Sequence, residues 1–499
     1  MTMSSRMRDS SAAYLDRLAH AQPSAVDIDA DAVAALLDDA SAEHVELHSF
    51  SIFRKGHVAV EAYRWPYRPD LPRMIHSVTK SFTACGIGFA IAEGLIAKTD
   101  KVVSFFPEYL PPVVDSKLAA MTVEDLLTMR TGHKDETSGS RWRGLKTSWI
   151  KEFFRIPVEY QPGSVYVYTS AASYMLSAIL TRVTGQTLHA YLKPRLFEPL
   201  GIEGELWDLG PDGINSGGNG LTCKTIDLLK FGILHAQDGV WEGRRILPEG
   251  WVQEATRPFG DSEYGYHWVT GPDGEFYALG LFGQVVAVLP KFDAVVVITS
   301  AIGGSMPCTG RLLPLFHRHA AAIFGGAATE SKVADERLAA RIKAMGAVEQ
   351  LQSMVPPGPE HIGRHDYEIF GNPLGISRMT LNLSPDVCTL VLTDATGEHS
   401  IVVGIDYWLD GKTDMPGTEL HHGYALLQAR VLAGARWLDA DTLEMTWIFV
   451  DSAFRDTVLL RFGDDSCSMS RSVNINSGPT RLPELQGKRR TSSDAGSTR

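Results

Sequence analysis

Ser77 and Lys80 stand three residues apart, at the start of a long stretch that is almost free of charge. In a helix this spacing places two side chains on one face, about one turn apart, so the lysine amine can reach the serine hydroxyl. A serine hydroxyl becomes an effective nucleophile when a neighbouring base takes its proton. The pair therefore predicts covalent catalysis with Ser77 as the nucleophile.

The same spacing occurs again at Ser148 and Lys151, and the surrounding residues separate the two cases. Small and apolar residues follow Ser77 as far as Glu93, as expected for a helix that is buried on all sides. Ser148 lies among Lys, Arg, Trp and Phe, and no comparable apolar run follows it. We interpret Ser77 as the nucleophile and Ser148 as an ordinary surface serine.

Length and composition indicate a globular protein of several domains with a small-molecule partner. The chain has 499 residues, of which 44% are hydrophobic and 21% are charged, and its length suggests two or three domains. The net charge of −12 provides neither a basic face for nucleic acid nor a polybasic anchor for an anionic membrane. We expect no nucleic-acid and no membrane partner.

The N-terminus and the cysteines bear on the location and on metals. Residues 1–38 contain no apolar run of signal-peptide length, so we expect a cytoplasmic protein. The cysteines are odd in number and widely spaced, without a Cys-x-x-Cys pair, which indicates reduced and mostly buried thiols. We expect neither a metal nor a cofactor.

Hydrophobic periodicity predicts two strand hairpins with helices between them. Residues 48–54 and 57–65 form the first hairpin, and residues 284–289 and 294–300 form the second. Three of the intervening segments have helical patterns, at residues 122–129, 171–184 and 225–235. This order implies one sheet made from the first and last segments, with helices covering its faces.

Composition changes near Gly325, and short alternating strands follow from about Tyr367. We predict an antiparallel sandwich or barrel of about eight strands there. The predicted units are an N-terminal helical extension, a first domain with Ser77, a helical linker, a β-rich domain and a disordered tail, at residues 1–40, 41–325, 326–358, 359–485 and 486–499.

Further motifs resemble those of the serine β-lactamase and penicillin-binding-protein superfamily, which includes class C β-lactamase-related esterases and amidases. The superfamily has a Tyr-x-Ser or Tyr-x-Asn motif about ninety residues after its nucleophile, and Tyr168-Thr169-Ser170 is the only such sequence in this chain. The resemblance implies that Tyr168 relays the proton between Ser77 and the leaving group, and that Ser170 contacts substrate.

The third motif of the superfamily, Lys-Thr-Gly or His-x-Gly, corresponds to Ala278-Leu279-Gly280. Ala278 carries no charge at a position where the superfamily commonly has a basic residue that helps to receive a substrate carboxylate. The resemblance implies substrate contacts at Ala278 and Gly280, and an oxyanion hole formed by the backbone amides of Ser77 and Leu281. His76, Asp227 and His267 lie near these motifs, and we interpret them as structural or surface residues rather than catalytic ones.

Two assignments of the base that acts during acylation remain open. A lysine accepts a proton only in its neutral form, which burial favours. Either neutral Lys80 takes the Ser77 proton, or Lys80 stays charged and Tyr168 is the base.

The resemblance implies a mixed α/β (α+β) domain, with an antiparallel sheet flanked by helices, and a lipocalin-like C-terminal antiparallel β-domain. It also implies a serine hydrolase that cleaves a small-molecule ester or amide through a Ser77 acyl-enzyme. Alternatives are a D-alanyl-D-alanine carboxypeptidase or β-lactamase, a D-amino-acid amidase, and a non-catalytic binding protein on the same scaffold. The β-domain is compatible with a role at the cleft or in a homo-oligomer contact.

Overall fold

The computed structural model describes residues 18–303, 310–326 and 331–490. The helices are α1 Ala30–Ala42, α2 Thr79–Ala92, α3 Ser116–Ala120, α4 Val123–Leu127, α5 Gly139–Arg143, α6 Trp149–Arg155, α7 Ser170–Thr184, α8 Leu188–Leu192, α9 Glu198–Leu200, α10 Thr225–Ala236, α11 Trp251–Ala255, α12 Leu312–Phe324 and α13 Lys332–Met345. Two large sheets, one of seven strands and one of ten, organise these elements.

The strands of the first part of the chain are β1 Ala19–His20, β2 Glu46–Arg54, β3 His57–Tyr63, β4 Arg73–Met74, β5 Leu206–Trp207, β6 Leu221–Cys223, β7 Val240–Trp241, β8 Arg244–Arg245, β9 Val269–Thr270, β10 Phe276–Gly280, β11 Gln284–Leu289 and β12 Ala294–Ala301. The seven-stranded sheet has the order β1-β3-β2-β12-β11-β10-β9. Strand β2 pairs antiparallel with β12, so the predicted sheet built from the first and last segments is confirmed.

Helices cover both faces of this sheet, so its central strands β2, β12 and β11 are buried on both sides. On one face α1, α12 and α13 pack over a hydrophobic cluster that includes Phe50 and Val296. On the other face lies the largest cluster, to which α2, α7 and α10 contribute. Helix α2 is buried along nearly its whole length, and Lys80 is its one charged residue. The predicted mixed fold with a helix-flanked sheet is confirmed.

The helices at residues 30–42 and 332–345 belong to the covering layer rather than to an extension and a linker. The Oγ and backbone N–H of Ser24 donate to the Asp335 carboxylate at 2.5 and 3.2 Å. Arg337 and Arg341 of α13 form ion pairs with Asp31 and Asp38 of α1. The helical character predicted for both regions is present, but each helix packs on the sheet. Residues 1–17 lie outside the described residues.

The C-terminal strands are β13 Gly363–Ile369, β14 Arg378–Leu383, β15 Val387–Asp394, β16 Gly397–Ile405, β17 Leu409–Thr413, β18 Ala429–Asp439, β19 Thr442–Phe449, β20 Arg455–Phe462, β21 Ser466–Val473 and β22 Leu485–Arg489. They form a ten-stranded sheet in which β16 also pairs with β18, which closes a barrel. The predicted count of about eight strands was too low.

The last strand corrects the predicted tail. Residues 485–489 form β22, which pairs with β13 and β21, so the prediction of disorder from residue 486 is wrong for residues 486–489. Residues 491–499 lie outside the described residues. Alternating side chains of the barrel strands point inward and form a separate hydrophobic cluster.

The barrel packs directly against the first part of the chain. The backbone N–H of Met74 donates to the Asp451 carbonyl at 2.7 Å, and Arg73 donates to the Ser452 carbonyl at 3.2 Å. Beside these contacts lies an apolar interface to which both parts contribute, with the buried members Tyr67, Leu71, Leu432, Ile448 and Val450. The two β-structures therefore share an apolar contact close to the start of α2.

Two further observations concern membrane-spanning helices and the cysteines. Among the described residues, no helix is long and apolar enough to cross a membrane. Cys85, Cys223, Cys388 and Cys467 are free, buried thiols, and burial raises the pKa of each of them. Cys308 lies outside the described residues.

Candidate active site

Ser77 lies in a short 3-10 turn, His76–Val78, that leads into α2. The turn is held by neighbouring backbone: the Ile75 N–H donates to the Leu221 carbonyl at 3.1 Å, and the Leu221 N–H reaches Thr79 Oγ1 at 3.4 Å. His76, which precedes the serine, has a φ of 49°, a left-handed conformation that is uncommon outside glycine. The serine side chain is partly exposed at the edge of a cleft.

Lys80 lies at the centre of a polar cluster. Its side chain is buried, with a relative exposure of 1%, and Nζ donates to Ser77 Oγ at 3.0 Å, Ser170 Oγ at 3.0 Å and the Gly218 carbonyl at 2.7 Å. The spacing of Ser77 and Lys80 therefore gives the contact that it predicts. Ser170 joins them from the first turn of α7, although it stands 90 residues further along the chain.

Tyr168 lies on the other side of the lysine. Lys80 Nζ is 4.8 Å from the centroid of the Tyr168 ring, and the edge of Tyr264 packs against that ring. Thr169, the next residue, caps α7 by accepting a hydrogen bond from the Ala171 N–H at 3.3 Å. The beginning of α7 thus delivers both Tyr168 and Ser170 to Lys80.

Strand β10 runs alongside the turn that carries Ser77. A Cβ atom at Gly280 would lie 2.4 Å from the carbonyl oxygen of Ile75, so only a glycine fits there without a shift of the backbone. Leu281 follows directly and packs against the barrel core. The predicted oxyanion-hole residues, Ser77 and Leu281, therefore come from two segments in close backbone contact.

Two cavities meet at this cluster. The first, which we call the tyrosine-lined cleft, has a volume of about 420 Å³ and is lined by Ser77, Lys80, Tyr166, Tyr168, Ser262, Glu263, Tyr264, His267, Val269, Tyr277 and Leu279. The second, which we call the polar pocket, has about 410 Å³ and is lined by Ser138, Trp142, Arg143, Leu145, Lys146, Trp149, Ser170, Tyr174, Asp208, Leu209, Gly210, Pro211, Ser216, Asn219, Gly423, Tyr424 and Ala425. Space for a substrate therefore exists on two sides of the polar cluster.

Ala278, a predicted substrate contact, lies elsewhere. Its side chain is 1% exposed and belongs to the main hydrophobic cluster. Tyr277 and Leu279 are the residues of β10 that line the tyrosine-lined cleft. The structure places Ala278 behind the cleft rather than among its lining residues.

The three polar residues interpreted as structural or surface residues are all buried, so none of them lies at the surface. His267 Nε2 lies 3.0 Å from Ser173 Oγ, and burial, together with the nearby Lys80, lowers the pKa of His267 to about 3. Burial also holds the pKa of His76 well below its usual value. Asp227 caps α10, and burial raises the pKa of its carboxyl to about 6.

Glu136 is a neighbour of the site that no sequence motif indicated. Its Oε1 accepts hydrogen bonds from the Ser170 N–H at 3.2 Å and from Ser138 Oγ at 2.7 Å. The carboxylate therefore lies at the N-terminus of α7, beside the serine that contacts Lys80. Tyr424 and Arg143 at the polar pocket were also missed, because nothing near them in the sequence relates them to Ser77.

Comparison with known proteins identifies the family. The family model described as beta-lactamase matches residues 33–312. The chain belongs to the β-lactamase family. The matched region begins in α1 and ends where α12 starts, so it contains six of the seven strands of the first sheet, β2, β3 and β9–β12, together with the Ser77–Lys80–Ser170 cluster. It leaves out β1 and the barrel.

Curated members of this family that resemble the chain are hydrolases. The 6-aminohexanoate-dimer hydrolase of Paenarthrobacter ureafaciens is 25% identical over 307 residues, which cover 54% of this chain and 77% of that protein. Esterase EstB of Burkholderia gladioli is 29% identical over 209 residues, 36% of this chain and 53% of that protein. The second alignment thus spans only about half of its relative.

A solved structure supports the fold alone. A putative beta-lactamase from Bacteroides dorei superposes with a TM-score of 0.51 and 14% sequence identity, covering 59% of this chain and 98% of that one. At this level of identity the likeness concerns the arrangement of the sheet and its helices.

Proposed function

We propose that this chain is a serine hydrolase that cleaves a small-molecule ester or amide through an acyl-enzyme on Ser77. The observation that carries the proposal is the 3.0 Å hydrogen bond between buried Lys80 and Ser77 Oγ. A nucleophile and a base within hydrogen-bond reach, with the base held by further partners, is the arrangement that activates a serine. The names of the two relatives, a dimer hydrolase and an esterase, agree with this class of reaction.

In the proposed acylation, Ser77 Oγ attacks the carbonyl carbon and loses its proton. The proton passes to Lys80 or to Tyr168 and then to the departing alcohol or amine. The bond from the carbonyl carbon to this leaving group breaks, and the acyl group stays bonded to Ser77 Oγ. Water then attacks the acyl-enzyme, releases the acid and restores the serine hydroxyl. Lys80 is hydrogen-bonded to both serines, so a proton from Ser77 can move on through Ser170.

The negative oxygen of the tetrahedral intermediate needs donors that are already in place, and each such donor is commonly worth about 3 kcal/mol. The backbone amides of Ser77 and Leu281 are the proposed donors. The close approach of Gly280 to Ile75 supports this assignment, because it brings the end of β10 against the turn that holds Ser77. The carbonyl carbon of the substrate would lie between this pair and Ser77 Oγ.

The proposal is tested by covalent labelling followed by a substrate panel. A fluorophosphonate probe should form one adduct, mapped by mass spectrometry to Ser77, and Ser77→Ala should abolish both labelling and turnover. Ser148→Ala is a matched control, because Ser148 has the same spacing to a lysine but caps α6 at the surface. Loss of labelling in the control, or full turnover by Ser77→Ala, would contradict the assignment.

The panel should contain aryl esters, lactones, amides that include the 6-aminohexanoate dimer, D-alanyl-D-alanine peptides and a chromogenic cephalosporin. Turnover of an ester or amide supports the proposal, whereas efficient cephalosporin or D-alanyl-D-alanine cleavage would favour the β-lactamase or carboxypeptidase alternative. If no acyl compound is turned over and no probe adduct forms, the chain is a binding protein on this scaffold.

A further inference from the structure

We propose that the polar pocket binds a carboxylate at one end of the substrate, through Arg143 and Lys146, and that residues 423–425 of the barrel complete this pocket. The proposal rests on the function proposed above, since it names a class of substrate for the same site. It also gives the barrel a direct part in substrate recognition.

The pocket adjoins the reacting atoms. Ser170 is one of its lining residues, and Ser170 Oγ accepts a hydrogen bond from Lys80, which also contacts Ser77. A substrate held at Ser77 therefore reaches the polar pocket in one direction and the tyrosine-lined cleft in the other. The two spaces differ in chemistry, so they suit different ends of one molecule.

The charges that line the pocket favour an anion. Two cations, Arg143 and Lys146, face one carboxylate, Asp208, which gives the lining a formal charge of +1 in a chain whose net charge is −12. Trp142, Trp149 and Tyr174 form apolar walls around them. A carboxylate that enters this space gains charge-assisted hydrogen bonds, which are stronger than neutral ones.

Arg143 is held in a fixed position by the barrel. Its Nη1 donates to the His422 carbonyl at 2.6 Å, and its Nη2 donates to the Tyr424 hydroxyl at 3.0 Å. The guanidinium carbon also lies 4.0 Å from the centroid of the Tyr424 ring, within the range of a cation–π contact. A guanidinium fixed in this way loses little freedom when it binds a carboxylate, which favours recognition.

Lys146 is the exposed member of the pair. Its side chain is exposed at the mouth of the pocket, and within the described ranges no carboxylate forms an ion pair with it. An exposed lysine of this kind is available to a ligand without the loss of an internal contact. Lys146 is therefore the residue whose replacement tests recognition with the smallest effect on the fold.

The recognition proposed here differs from the contact that the motif at Ala278 would suggest. At that strand position the chain has no charge, and the Ala278 side chain is buried behind the cleft. The cations instead lie on the Ser170 side of Lys80, in a pocket whose far wall comes from the barrel. The carboxylate is thus expected at the polar pocket and not beside β10.

The experiment compares two matched pairs of esters. In one pair the anion is in the leaving group, as in the butyrate ester of 4-hydroxybenzoate and that of methyl 4-hydroxybenzoate. In the other it is in the acyl group, as in p-nitrophenyl hydrogen adipate and its methyl ester. We expect a lower KM for the carboxylate member of one pair, and the pair that responds shows which end of the substrate occupies the polar pocket.

The variant Lys146→Gln should then raise the KM of the preferred carboxylate ester roughly fivefold, as expected for the loss of one partly exposed ionic hydrogen bond. The KM of its neutral partner should stay within twofold. Lys151→Gln removes the same charge from an exposed lysine of α6 that does not line the pocket, and it should leave both values unchanged. Arg143→Lys keeps the positive charge but loses the planar guanidinium with its several N–H donors. This variant should also raise the KM of the carboxylate ester.

Absence of a carboxylate preference in both pairs overturns the proposal, and so does a preference that Lys146→Gln leaves intact. Turnover of the neutral esters separates these outcomes from a failure of the proposed function. If the neutral esters are cleaved in a Ser77-dependent manner without any carboxylate preference, the hydrolase remains and the carboxylate subsite is refuted. If no ester or amide is cleaved and no fluorophosphonate adduct forms on Ser77, the hydrolase itself is refuted.

Discussion

The hydroxyl oxygen of Tyr424 lies 3.4 Å from Nδ1 of His76, although 348 positions separate the two residues in the chain. His76 directly precedes Ser77 and has a positive φ, a backbone conformation that costs on the order of 1–3 kcal/mol and needs support from its surroundings. Phe282 also packs against the same imidazole, with the two rings nearly perpendicular. The barrel therefore supports the turn that presents the candidate nucleophile.

From this contact we predict that Tyr424→Ala slows acylation by Ser77 about tenfold or more. Loss of the ring frees both His76 and Arg143, and a small displacement of a nucleophile is costly in rate. Acylation is measured as the rate of fluorophosphonate labelling, and folding as the melting temperature. Tyr424→Phe keeps the ring and loses only the hydroxyl, so its labelling rate should lie between that of the unchanged protein and that of Tyr424→Ala.

A replacement at an equally aromatic but remote barrel position provides the control. Tyr407 is exposed and lies outside the two active-site cavities, so Tyr407→Ala should label at the normal rate. Normal labelling by Tyr424→Ala would show that His76 keeps its conformation without the barrel contact.

Gly280→Ala should impair both stability and activity. The new Cβ would lie 2.4 Å from the Ile75 carbonyl oxygen and 2.9 Å from Gln284 Cβ, so β10 and the Ser77 turn must separate. Overpacking of this kind costs about 1–3 kcal/mol of the free energy of unfolding, and a shifted oxyanion hole lowers kcat by one to two powers of ten. Urea unfolding and ester turnover measure the two effects. Gly411→Ala in the barrel, where a Cβ meets nothing within 4 Å, should change neither.

Lys80→Ala and Tyr168→Phe should each reduce the rate of acylation by orders of magnitude. When catalytic groups act as one unit, removal of any one of them removes most of the effect of all. Ser170→Ala removes one acceptor from Lys80 but leaves Ser77 and the Gly218 carbonyl in contact with it, so a smaller loss is expected. Single-turnover labelling separates acylation from substrate affinity. Normal acylation by Tyr168→Phe would assign the acid/base role to another residue.

Local spacing was sufficient to predict the elements and the short-range part of the site. Ser77 and Lys80 are three residues apart, so their contact follows from helical geometry, and the hairpins at β2–β3 and β11–β12 follow from alternation. The contact of Tyr424 with His76 could not be predicted, because the local sequence around either residue does not indicate which distant residue it contacts. The packing of α13 on α1 was missed for the same reason, since Asp31 and Arg337 are 306 positions apart.

The buried histidines predict a loss of stability in mild acid. Burial lowers the pKa of His48 and His267 to about 3 and that of His133 and His235 to about 4, from an ordinary value of 6.5. Between about pH 4 and 6.5 the unfolded chain binds these protons and the folded chain does not. The free energy of unfolding should therefore fall as the pH falls through this window, by about 1.4 kcal/mol per pH unit for each such histidine.

Four carboxyls, those of Asp125, Asp208, Asp227 and Asp451, act in the opposite direction, because desolvation raises the pKa of each. The pKa of Asp227 is raised to about 6 from 3.8, so the folded state binds its proton first and gains stability as the pH falls from about 6 to 4. Because several histidines oppose this effect, the free energy of unfolding should still fall as the pH falls. Urea unfolding at pH 8, 6 and 5 measures it. His235→Gln should reduce the proton uptake on unfolding by about one.

Limited proteolysis should cut the chain after α13 without separating the two parts. Residues 347–350 are exposed, whereas α13 is fastened to α1 by the ion pairs of Arg337 and Arg341. We therefore expect proteinase K to cut between residues 346 and 358 and to spare residues 332–345, as mapped by mass spectrometry.

The two fragments should then elute together in size-exclusion chromatography. The apolar interface around Leu71 and Ile448 and the contacts of Arg143 with Tyr424 do not depend on the linking residues. Because these contacts also hold the turn at Ser77 and close the polar pocket, the nicked complex should keep the proposed ester turnover and the proposed carboxylate preference. Fragments that separate, with activity retained by the N-terminal one alone, would show that the barrel has no part in catalysis.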